Sequence, residues 1–240
     1  MTLLASIFIV YMLVRMTNIG EIFHRIHGFE RYYQWSMQYI EKWVKHVEIR
    51  RMIIIIVPLL VFSWFFHYLL HYRVIYFILS ILVLIYGWTY QERETIIPSS
   101  PRDYSRFVFS RALSQSFTVV FWFVLLGPWG VLLYDFIRRA NMVSAKQLLE
   151  WPAARILGLG YALAGHFPPT FSYWSINLFK NFQYNQAFLE ECGLYALNAG
   201  ITDSSTAESK ESEEARALVK RAEFMLLIIL IILVMGGLLY

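Results

Sequence analysis

Residues 52–70 read MIIIIVPLLVFSWFFHYLL, a run without a formally charged side chain. A helix crosses a bilayer core of about 30 Å with roughly 20 mostly apolar residues, so this run is long enough to span. The block Ile53-Ile54-Ile55-Ile56 does not alternate apolar with polar residues, as a membrane β-strand of about 10 residues would. Backbone amides in hydrocarbon must be satisfied within their own segment, which makes the helix the expected form. Residues 74–90, VIYFILSILVLIYGWTY, follow after only His71, Tyr72 and Arg73, and the pair predicts a tight antiparallel helical hairpin.

Working outward, similar runs lie at about Leu3–Ile19, Phe117–Ile137 and Phe224–Tyr240. The 240 residues are 58% hydrophobic and 16% charged, too little polar material to cover a water-soluble domain of this size. The expected fold is therefore all-α: a polytopic helical bundle of five or six transmembrane helices, with amphipathic helices at the interface. Leu3–Val14 is read as a retained first span, because nothing basic precedes it and no small-x-small cleavage signal follows. Pro58 and the Gly127-Pro128-Trp129-Gly130 string are expected to kink or unwind their helices, since proline removes an amide and crowds the preceding turn.

The segment Trp151–Tyr173 is apolar but short. If it crosses and the N-terminus lies outside, fifteen basic loop residues fall inside against Arg73, Arg138, Arg139 and Lys146 outside. If it does not cross, the basic residues divide about evenly, so the positive-inside tendency favours six crossings. The competing arrangement is a re-entrant or surface-lying helix. Gly20–Arg51 places Ile22, Ile26, Phe29, Tyr33 and Met37 at helical spacing and reads as an amphipathic interfacial helix. Three regions result: a membrane domain over 1–200, a polar linker without fixed structure over 201–214, and a C-terminal transmembrane helix over 215–240. Helix is expected to resume near Ser212, with Glu213 and Glu214 in its first turn.

Few residue groups carry chemistry. His24 with His27 and His67 with His71 lie on common helix faces, but with no HExxH glutamate and no third ligand they read as interfacial side chains rather than a metal site. Cys192, the one cysteine, has no disulfide partner and reads as a small buried apolar group. The dense carboxylates of 208–214 sit in the expected linker, where catalytic geometry is not held. No phosphate loop occurs, no basic stripe calls for nucleic acid, and no cofactor is expected. Two constellations remain. Gly127 and Gly130 lead through Tyr134-Asp135 to Arg138-Arg139, where close backbone approach and an acid beside two arginines can clamp an anionic group. In Trp151-Pro152-Ala153-Ala154-Arg155 the proline is expected to start a helix. Arg155 must then find a carboxylate such as Asp135 or Glu150, a carbonyl, or a water-filled cavity. His166, before Pro168-Pro169, is expected to cap or end that helix.

Leu149-Glu150-Trp151-Pro152-Ala153-Ala154-Arg155-Ile156-Leu157-Gly158, followed by Tyr161-Ala162-Leu163-Ala164-Gly165-His166, resembles the W-x-P-x-R-L…Y-A-L-x-G segment of the AmpE family. These are inner-membrane proteins linked to β-lactamase induction, themselves similar to the CobD/CbiB membrane proteins of cobalamin assembly. Met1-Thr2-Leu3-Leu4, Arg15 with Gly20-Glu21, the Gly127–Gly130 string, and Asn185 with Glu191-Cys192-Gly193 extend the likeness. The resemblance implies a multi-pass protein of the bacterial inner membrane. It would bind a cell-wall-derived or lipid-linked ligand, or another inner-membrane protein, amid membrane lipids. Arg155, Pro152, Arg138, Arg139, Asp135, Tyr134, Gly127, Gly130, His166 and Asn185 are the candidate ligand-binding residues. The CobD/CbiB L-D-S-M string and acidic pair are replaced here by Asn141-Met142-Val143-Ser144 and Lys146-Gln147-Leu148-Leu149. This moves the expectation from amide-bond formation, the alternative, toward regulation; recruitment of a partner as a scaffold is the third possibility.

Overall fold

A computed structural model describes residues 28–41, 44, 46–69, 73–89, 101–197 and 205–235. Among them every regular element is helical and no strand occurs. The helices are α1 (Gly28–Ile40), α2 (Val47–Leu69), α3 (Arg73–Thr89), α4 (Pro101–Ala112), a π-helical turn (Leu113–Phe117), α5 (Thr118–Leu126), α6 (Pro128–Arg139), α7 (Val143–Ala164), α8 (Phe167–Ile176), a 3-10 turn (Phe182–Tyr184), α9 (Asn185–Leu197) and α10 (Ser205–Met235). The expected first span, Leu3–Ile19, lies outside the described residues, as do Arg15, His24, His27 and His71.

The chain divides into two compact units, one drawn from Met1–Gln91 and Val119–Lys146, the other from Glu92–Thr118 and Gln147–Tyr240. In the first, α2 packs on α1, α3 and α6, and α3 on α6. Ile55, Leu132, Phe136 and Ala140 form a buried cluster, with Tyr32, Leu59, Tyr76 and Trp129 against it. Tyr33 and Met37 are half-buried on α1, but this helix stops at Ile40 and a new one starts at Val47, so Gly20–Arg51 is not a single rod. In the second unit α4 packs on α9 and α10, and α9 on α8 and α10.

Three segments depart from expectation. Phe117–Ile137 breaks at Gly127, whose φ of 66° and ψ of −151° suit glycine alone. Pro128, which has no amide, starts α6 there. A Cβ placed on Gly130 would lie 2.3 Å from the Trp122 carbonyl oxygen, so α6 folds back onto α5. The one described helix long and apolar enough to cross a membrane is instead Asp103–Leu126, shifted toward the N-terminus; Val74–Trp88 is apolar but shorter.

Trp151–Tyr173 is not a rod either. Helix α7 begins at Val143, so Pro152 lies inside it and not at its start, at the cost of one amide bond. It ends at Ala164, and the chain turns at Gly165-His166. Helix α8 then runs back along α7, bringing the Trp174 indole to the Arg155 carbonyl at 2.7 Å. The third departure is the expected linker: helix already runs from Ser205, in a stretch of Ala, Glu and Lys that favours it, and continues to Met235.

Candidate functional site

The candidate residues fall into two groups, one in each unit. In the first unit, α6 presents Asp135 at one side of its last two turns, with Arg138 and Arg139 three and four residues on, the spacing at which helix side chains meet. Asp135 is fully buried and accepts from Arg138 Nη2 at 2.8 Å and Arg139 Nε at 2.6 Å. Arg138 Nη2 also donates to the Gly87 carbonyl at 3.0 Å. Its guanidinium lies 5.3 Å from the buried Tyr134 ring, and that of Arg139 lies 4.5 Å from Tyr86. One buried carboxylate thus holds a buried and a half-buried guanidinium group, and charges withdrawn from water persist only with such pairing. Gly87 allows the approach: a Cβ there would lie 2.5 Å from Val131 Cγ1.

In the second unit, Arg155 is 5% exposed and points back along α7. It makes no ion pair with Asp135 or Glu150. Its Nε donates to the Leu178 carbonyl at 2.7 Å and its Nη2 to the Lys180 carbonyl at 3.0 Å. The Lys180 carbonyl also accepts from Trp151 Nε1 at 3.1 Å. The guanidinium lies 4.0 Å above the Phe188 ring and 5.6 Å from Trp151. Carbonyls satisfy this arginine because the connection 177–184 carries acceptors that no helix uses, and stacking shields its faces.

Two polar atoms in this region lack partners: Arg155 Nη1, a donor, and Asn185 Oδ1, an acceptor, both buried. Asn185 opens α9 and is anchored by its Nδ2, which donates to the Gln147 carbonyl at 2.7 Å. Buried polar groups are rarely left unpaired. Gly158 permits the tight packing, since a Cβ there would lie 2.9 Å from the Phe188 ring. Cys192 is fully buried one turn further along α9. Burial pushes its thiol up to about 12, against the opposing pull of Arg155, so it is a neutral packing group.

The remaining candidates take lesser positions. Pro152 is half-buried within α7. The His166 side chain is exposed; its backbone caps α8, its amide donates to the Ala196 carbonyl at 2.9 Å, and its carbonyl accepts from Thr170 Oγ1 at 2.7 Å. Gly127 and Gly130 shape the α5–α6 corner and offer no functional group. Among the described residues no three His, Cys, Asp or Glu side chains gather to hold a metal ion. Sequence reasoning missed Trp174, Phe188 and the carbonyls of Leu178 and Lys180, all beyond the turn at Gly165. Comparison with protein-family models, curated proteins and solved structures finds no match.

Proposed function

We propose that the chain is a multi-pass helical protein of the bacterial inner membrane, of the AmpE type. In this reading it binds a cell-wall-derived or lipid-linked ligand, or a partner protein, and takes part in regulating β-lactamase induction. The observation that carries the binding role is Arg155. Two of its three nitrogens hold the 177–184 connection, and the third, Nη1, is buried and unpartnered. A ligand oxygen placed there completes the guanidinium and meets the same structural element that α8 and α9 depend on. Occupancy would thereby bias helix packing.

The membrane setting is supported by apolar side chains that protein does not cover. Met52, Ile56, Leu60 and Trp64 on α2, Val74, Ile78 and Leu82 on α3, and Phe224, Ile228 and Ile232 on α10 are all exposed at four-residue spacing. Such stripes exceed what a water-soluble surface carries, and lipid accounts for them. Arg216 meets Tyr104 and Glu223 meets Ser116, so α4 and α10 run parallel.

The test is β-lactam induction in a strain lacking the protein, complemented with the wild-type chain or with Arg155→Ala. Loss of induction restored only by wild type is expected. Normal induction in the deletion strain removes the regulatory role.

A further inference from the structure

The connection between α8 and α9 turns apolar side chains outward while protein holds its backbone. Phe179 is 84% exposed and Ile176 79%, the two most open large apolar side chains among the described residues. The backbone beneath them is engaged. The Leu178 carbonyl accepts from Arg155 and the Lys180 carbonyl from both Arg155 and Trp151. The Lys180 and Tyr184 amides donate to the Asn177 and Asn181 carbonyls at 3.1 Å each. Irregular backbone enters an apolar medium only where protein satisfies its polar groups, because nothing else there can. Arg155 thus lifts, from the inside, much of the penalty that would keep such a connection in water.

Charge and composition point to lipid as what covers these side chains. Residues 151–189 contain no Asp or Glu, and their only Lys and Arg are the buried Arg155 and the exposed Lys180 beside Phe179. Eight of residues 167–188 are aromatic, with Ser, Asn and Gln among them, and aromatic rings of mixed character gather where membrane meets water. A lone cation next to an apolar tip, in a stretch without carboxylates, complements a lipid phosphate lying above acyl chains. We propose that residues 176–184 form a membrane-interface anchor, in which Ile176 and Phe179 enter the acyl boundary and Lys180 reaches the lipid phosphates. This rests on the membrane reading of the chain and not on ligand binding or regulation.

The experiment places a nitroxide at Ile176→Cys in the full chain, in vesicles of phosphatidylcholine and phosphatidylglycerol, with Ile228→Cys on the apolar stripe of α10 labelled separately as a reference. Cys192 is buried, so the unsubstituted chain supplies the background. Collision of the label with lipid-soluble oxygen and with a water-soluble nickel chelate gives its depth. The expected depth at 176 is about 5–10 Å below the phosphates. It should move outward in Phe179→Ser and in Lys180→Glu, both changes at exposed positions. A depth unmoved by Phe179→Ser overturns the insertion, and one unmoved by Lys180→Glu overturns the phosphate contact. A label at 176 open to the nickel chelate, while that at 228 meets oxygen, overturns the anchor and leaves the membrane reading standing; nickel access at both sites overturns both. Shielding of 176 from both reagents means that protein, a partner or a second copy, covers the connection, and overturns the lipid assignment.

Discussion

Replacing Arg155 with methionine keeps most of the side-chain volume while removing the charge and the donors. The Leu178 carbonyl then loses its partner, at a cost of about 1–3 kcal/mol. The Lys180 carbonyl retains the Trp151 indole, so its loss is smaller. Stacking on Phe188 at 4.0 Å, in a desolvated position, contributes about 2 kcal/mol more. Relief of a buried charge offsets part of this, and the net destabilisation is about 2–4 kcal/mol. For a chain of 240 residues this lowers the melting temperature in detergent by roughly 5–15 °C. A local readout accompanies it: trypsin cuts after Lys180, whose carbonyl Arg155 and Trp151 hold in place. Cleavage there should be slow in the wild type and faster in Arg155→Met, with Arg155→Lys between them. An unchanged melting temperature together with unchanged cleavage after Lys180 would refute the assignment of Arg155 as the clasp of the hairpin.

Gly130→Ala drives a Cβ into the Trp122 backbone, which cannot rotate aside; about 3 kcal/mol of destabilisation is expected, measured as a loss of melting temperature larger than that of Gly158→Ala, where a ring can shift. Burial holds the Glu190 carboxyl above its ordinary range, with Glu191 and Asp103 adding to the effect of burial and Arg106 opposing it. Its folded form therefore binds the proton more tightly than its unfolded form, so the associated stability is present at low pH and lost as pH rises through the raised value. Glu190→Gln should accordingly raise the melting temperature at pH 7 and leave it unchanged near pH 4. Cysteines placed at Ser144 and Asn181 should label from the same side of the membrane, since both sit at one end of α7. Native Cys192 should stay silent toward water-soluble maleimides until the protein unfolds.

Helix was legible in the long apolar runs, because a segment in hydrocarbon has no other partner for its amides and four consecutive isoleucines leave no strand period to read. The candidate residues were legible as residue types: a buried arginine or aspartate must be compensated somewhere, so Arg155 and Asp135 stood out before their partners were known. The sequence offers Asp135 as a partner for Arg155, and only the structure shows that it is taken by Arg138 and Arg139 on its own helix face. The Arg155 pairing was no more legible, because its acceptors are backbone carbonyls, and every residue has one.

Local composition thus determined the helical class, the apolar helix faces and the burden of compensating Arg155. Tertiary structure alone decided that Gly127 and Gly165 are corners, that α8 returns along α7, and that Glu223 meets Ser116. Hydropathy averages over a window and records how apolar a stretch is, whereas a change of direction is set by one glycine's dihedral angles and by what its missing side chain lets approach.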